Sequence, residues 1–188
     1  AAGVEDPAGD RIMYDTLYAY GGRSFSIWDA QGELVWDSGD AIEQFLASDQ
    51  CFAGAQRDVP CADYFNSGHD EGSAFDSRSD AKGPEPEGLT LGTLGGKTFL
   101  FLGLERMGGI LVYDITDPTA PVMQEYLNSR EDWATEDTES VLASAGDLGP
   151  EGLVFIPASD SPNGKALLVV GYEVSGTTAV YEVEALRD

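Results

Sequence analysis

Apolar residues in this chain come in short runs bounded by Gly, Pro, Asn or Asp, with hardly any of the i, i+3, i+4 spacing of a helix. Ile12 to Tyr20 and Ser24 to Asp29 are two such runs, and Gly21-Gly22 between them predicts a hairpin. Leu34 to Asp37 follows as a third strand. Asp40, with Glu43 three residues on and Ile42, Phe45 and Leu46 on one face, predicts a short capped helix ending near Ser48. From Asp49 to Gly83 no periodicity is sustained. Leu89 to Leu94, Phe99 to Glu105, Ile110 to Thr116 and Val122 to Leu127 then predict a four-stranded unit, turning at Gly95-Gly96, Gly108-Gly109 and Asp117-Pro118. Asn128 to Gly146 is a second insertion, with a helix expected over Glu136 to Ala145 and closed by Gly146. Leu153 to Ile156, Ala166 to Tyr172 and Thr178 to Val183 make three more strands.

The pattern repeats. Pro86-Glu87-Gly88-Leu89 returns as Pro150-Glu151-Gly152-Leu153, 64 residues later, and Gly103-Leu104-Glu105 as Gly171-Tyr172-Glu173, 68 residues later. Val112-Tyr113 returns as Val180-Tyr181 at the same 68, and Gly21 to Asp29 is a weaker echo of Gly108 to Asp114. Repeated units of this kind predict an all-β chain forming part of a β-propeller, about three blades of antiparallel four-stranded sheets. The expected division is an acidic arm over residues 1–10 and a partial propeller over 11–188, with blades at 11–48, 84–128 and 149–185 and insertions at 49–83 and 128–148. The first blade lacks its innermost strand and the last its outermost. The chain therefore reads as the C-terminal part of a larger propeller, its open edges covered by remaining blades in another chain or a missing segment.

Composition narrows the partners. Ten basic against 34 acidic residues give a formal net charge of −24, spread along the chain. Phosphate backbones and anionic membranes are bound by Lys and Arg clusters, so no nucleic acid is expected. Such a surface suits either solvation in a salty medium or multivalent cation binding. No run reaches the ~20 apolar residues of a membrane span. No leader is visible, and Ala1-Ala2-Gly3 suits a processed or truncated end. Cys51 and Cys61, the only cysteines, share one loop. A disulfide between them points to an extracellular, periplasmic or cell-surface location; two free thiols are the alternative.

Several ordered stretches together carry a resemblance: Phe65-Asn66-Ser67, Asp76 to Asp80, Lys82 to Gly88, Gly103 to Ile110, Val112 to Thr116, Asp147 to Leu153 and Glu173 to Thr177. Over roughly residues 10 to 184 the chain resembles the C-terminal half of the choice-of-anchor I proteins. That family comprises secreted or cell-surface β-propellers, among them the mesenchyme-specific cell-surface glycoprotein group and bacterial proteins called alkaline phosphatases. The resemblance implies the fold more firmly than an activity.

The chemistry open to the chain is carboxylate chemistry. His69 is the only histidine and no Gly-x-Ser-x-Gly elbow occurs, so a Ser-His-Asp hydrolase and a zinc site both lack parts. Glu87 and Glu151 each precede the first strand of a blade and are expected near one channel mouth, with Glu105 and Glu173 at the same or a neighbouring rim. Pro84 and Pro86 hold Glu85 and Glu87 on an extended segment. With Glu85 and Asp80 added, these carboxylates form a candidate site for a divalent cation, calcium first and magnesium second. Arg78, Lys82 and Arg106 would clamp the phosphate of a phosphoester substrate. Arg106 follows Glu105 on the opposite face of a strand, which keeps that pair from bridging itself. Asp70, Glu71 and Asp76 offer a weaker loop site. Two functions stay open: a metal-dependent phosphoester hydrolase, alkaline-phosphatase-like, or a non-catalytic extracellular propeller acting as a binding or assembly module. In the second, the glutamates are ion-pair partners of Arg78 and Arg106.

Overall fold

The structure, a computed structural model, describes residues 4–5, 12–13, 16, 20–70 and 74–185. Strand β1 (Val4–Glu5) pairs with β2 (Ile12–Met13), so part of the expected arm is strand; the rest of that arm, and Tyr14, Asp15 and 17–19, lie outside the described residues. Most of the first strand of the hairpin expected at Gly21-Gly22 lies outside the described residues; its second strand, β3 (Ser26–Trp28), runs antiparallel to β4 (Leu34–Asp37). Among the described residues this sheet, the first of three main sheets, has two strands.

Helix α1 (Ala41–Leu46) follows, with Ile42 and Leu46 buried. Asp40 stands at its N-cap but makes no side-chain capping bond, a correction to the expected capping box. Glu43 is drawn away, because Arg23 and Asn66 both donate to its carboxylate. The first insertion holds β5 (Phe52–Ala53) paired with β6 (Val59–Pro60) and a 3₁₀ turn over Cys61–Tyr64. Cys51 and Cys61 form a buried disulfide across it.

Strands β7 (Pro86–Leu94), β8 (Lys97–Leu104), β9 (Ile110–Asp114) and β10 (Val122–Leu127) form a four-stranded antiparallel meander. Phe99 to Leu102 is apolar at every position because both faces of β8 are covered. Leu100, Leu102 and Leu104 pack with Phe25, Ile42, Leu46 and Met107. Phe99 and Phe101 turn the other way, onto a three-stranded sheet of β11 (Pro150–Ile156), β12 (Ala166–Tyr172) and β13 (Thr177–Val183). The Phe101 and Phe155 rings stack with centroids 5.6 Å apart. The helix expected over Glu136 to Ala145 is instead a 3₁₀ turn, Thr138–Val141.

The repeat returns as register. Pro86 pairs with Leu104 and Pro150 with Tyr172, each at the end of the second strand, and each ladder slips immediately after its proline. The architecture is thus all-β, in antiparallel sheets of two to four strands.

Candidate site: a buried carboxylate network

Glu85, Glu87, Glu105, Arg78, Lys82 and Arg106, all singled out from the sequence, meet where the first insertion runs into β7. Asn66 and Glu43 anchor the insertion, with Arg23 donating to both Glu43 and the Ser79 carbonyl. Downstream, the Glu85 carbonyl accepts from the Glu105 amide at 2.8 Å, which ties the Pro84-Glu85-Pro86 segment to the end of β8.

Glu85 is not extended, as the flanking prolines suggest, but left-handed, with φ of 54°. Such a conformation costs of order 1–3 kcal/mol in a residue with a Cβ, so the surroundings must hold it. It also separates the two glutamates, since Glu85 is 3% exposed while Glu87 faces solvent. Arg78 Nη2 donates to Glu85 Oε1 at 2.7 Å, Lys82 Nζ pairs with Oε2, and Arg106 Nε lies 3.3 Å from Oε1. Burial alone would push this carboxyl up, but the hydrogen bonds from Lys82 and Arg78 and the charge of Arg106 outweigh it and hold it down, at about 2.

Glu105 goes the other way. Burial, then the neighbouring Glu87 carboxyl, pushes it up to about 8, against the pull of Arg106. Arg106 Nη2 nevertheless lies 3.2 Å from Glu105 Oε1. The expected separation of that pair fails because β8 ends at Leu104 and strand alternation no longer applies. Arg106 Nη1 is 2.6 Å from His69 Nε2. Arginine only donates, so Nε2 accepts and the imidazole is neutral. Burial and then Arg106 lower its affinity for a proton accordingly.

Two groups of donors converge here: Glu85, Glu87 and Glu105, and His69, Glu105 and Glu173, each set lying within 4.8 Å. In the first set, Glu85 already carries Arg78, Lys82 and Arg106, and Arg106 also reaches Glu105, so a cation bound there would share these ligands with three positive side chains. In the second, the Arg106 guanidinium occupies the His69 nitrogen that faces Glu105. Glu151 is exposed on β11 and belongs to neither set, so Glu87 and Glu151 share a register without sharing a ligand position. Asp80 stands apart, lining an open hollow of about 600 Å³ with Tyr20, Arg78 and Lys82. Asp70 and Asp76 are exposed, and Glu71 lies outside the described residues.

Arg130, in the second insertion, is a residue that sequence reasoning missed. It is fully buried, lies 4.3 Å from the Trp133 ring centroid and donates to the Gly68 carbonyl at 2.9 Å. Burial pushes its guanidinium down to about 10. It locks the peptide beside His69 to the second insertion. The one available signal was a basic residue in an acidic chain: of ten Lys and Arg, five (Arg23, Arg78, Lys82, Arg106 and Arg130) border this segment.

Comparison with known proteins places the chain among relatives. A family model described as the choice-of-anchor I domain matches residues 3–118. Gigasin-3a of Magallana gigas is 30% identical over 183 residues, covering 92% of this chain and 60% of the relative. A mesenchyme-specific cell surface glycoprotein of Strongylocentrotus purpuratus is 27% identical over 128 residues, covering 61% of this chain and 15% of the relative. The chain thus spans less than two thirds of the length of either. No solved structure matches.

Proposed function

The chain belongs to the choice-of-anchor I family, and from that premise we propose that it is part of an extracellular β-propeller that works as a non-catalytic binding or assembly module. The observation that carries this reading is the capture of Arg78, Lys82 and Arg106 by the buried Glu85 carboxylate. The cations a phosphoester would need already neutralise a protein carboxylate. Three cations converge on Glu85, and Arg106 reaches on to Glu105 and His69. Such shared pairing is expected of a network that holds backbone in place.

Sheets lying face to face, with β7 and β11 side by side, support the propeller arrangement. The Cys51–Cys61 disulfide and a relative named for the cell surface support the extracellular location.

The competing reading is a phosphoester hydrolase that uses calcium at the glutamates. The discriminating experiment measures turnover of a small phosphomonoester and the melting temperature, with added calcium and with chelator. The module predicts no turnover and one melting temperature under both conditions. Turnover that vanishes with chelator and returns with calcium would overturn it.

A further inference from the structure

The second and third sheets touch through glycine. A Cβ placed on Gly88 would lie 2.1 Å from the Glu151 carbonyl oxygen, and one on Gly103 would lie 3.1 Å from that of Pro150. Both glycines exist to let β11 approach the face of β7 and β8. Their repeat counterparts in the third sheet are Gly152 and Gly171, paired with each other across β11 and β12. No atom lies within 4 Å of a Cβ on Gly152, and Gly171 meets only the Gly152 carbonyl oxygen, at 3.8 Å. The clearance is kept, but nothing among the described residues uses it.

The same face carries an apolar row. Val154, Val169 and Val180 stand in register across all three strands. Val154 is 56% and Val180 59% exposed. A solvated face of an antiparallel sheet alternates to polar residues, so a valine row flanked by glycines is out of place in water. The opposite face of that sheet, with Leu153, Phe155, Leu168 and Val170, is packed against Phe99, Phe101 and Val112.

We infer that the Gly152–Val154–Val169–Val180 face receives a further antiparallel sheet, supplied by the part of a longer family chain outside the stretch matched here. It docks as the third sheet docks on the second, with its first strand laid over Gly152 and Gly171. This rests on the propeller reading above and names the surface that reading needs. Gigasin-3a has 40% of its length outside the match, room for such a sheet. A second copy suits the surface less well. Two chains of net charge −24 repel each other.

The test mixes the 188-residue chain with the unmatched segment of gigasin-3a, produced separately as the probe, and follows sedimentation velocity and amide exchange. A one-to-one complex is expected, with exchange slowed in β11 to β13. Gly152→Val and Val180→Asp should each weaken it at least tenfold, while the melting temperature of the chain alone stays within a few degrees. The proposal falls if no complex forms, if the complex ignores both substitutions, or if the chain alone forms a dimer that Val180→Asp dissolves. Chelator-dependent turnover would overturn the non-catalytic reading while leaving this docking result unaffected.

Discussion

Glu85 shows how one side chain can be named from sequence while its state is set by packing. The proline pair marks the segment, but the left-handed backbone and the three cations arrive from a loop whose sequence has no period. Glu85→Gln should destabilise the protein by about 3 kcal/mol, the low end for breaking a buried pair, because the cations keep some water contact. The pH dependence separates Glu85 from Glu105, both 4.5 in an unperturbed chain. Glu85, lowered to about 2, contributes stability that is full above 4.5 and lost as pH falls. Glu105, raised to about 8, contributes stability that is full below 4.5 and lost as pH rises through 8. Their joint contribution peaks near 4.5. In melting curves recorded across this range, Glu105→Gln should flatten the decline between 4.5 and 8, and an unchanged slope in that variant would remove Glu105 as its source.

At the scale of elements, the seven strands of the second and third sheets were legible because each is a short run rich in apolar residues and most are bounded by a glycine or proline turn. Reading failed where tertiary contacts decided the outcome. The Glu136 to Ala145 stretch carries helix formers but packs only one 3₁₀ turn, and Glu43 left its capping role for Arg23, 20 residues away. Close approach between sheets was equally hidden, since Gly88 and Gly152 are the same letter in the same motif. Their substitutions should differ. Gly88→Ala sets a Cβ against backbone oxygen, which can move only by parting β7 from β11, and should cost about 2 kcal/mol or more. Gly152→Ala meets open space and should cost a small fraction of that. Equal losses in paired melting curves would mean that glycine serves the strand backbone and not the sheet contact.

For the whole molecule, charge is the property that sequence states most directly and local structure explains least. Half of the ten basic residues are committed to the segment around Glu85 and Gly68, which leaves the remaining surface almost uniformly acidic. Self-repulsion therefore opposes the folded state across distances that salt can screen, over roughly 10 Å at 0.1 M but only about 3 Å at 1 M. The Glu85 network is short-range and largely buried, so the same salt weakens it far less. Repulsion should dominate the balance, and the melting temperature should rise by several degrees as sodium chloride increases from about 0.05 to 1 M, a range over which the Debye length falls severalfold. Glu85→Gln should start lower and rise in parallel, since its loss is local and the surface charge it leaves is nearly the same. A melting temperature that falls with salt would mean that attractive pairs, and not the acidic surface, control the stability of this chain.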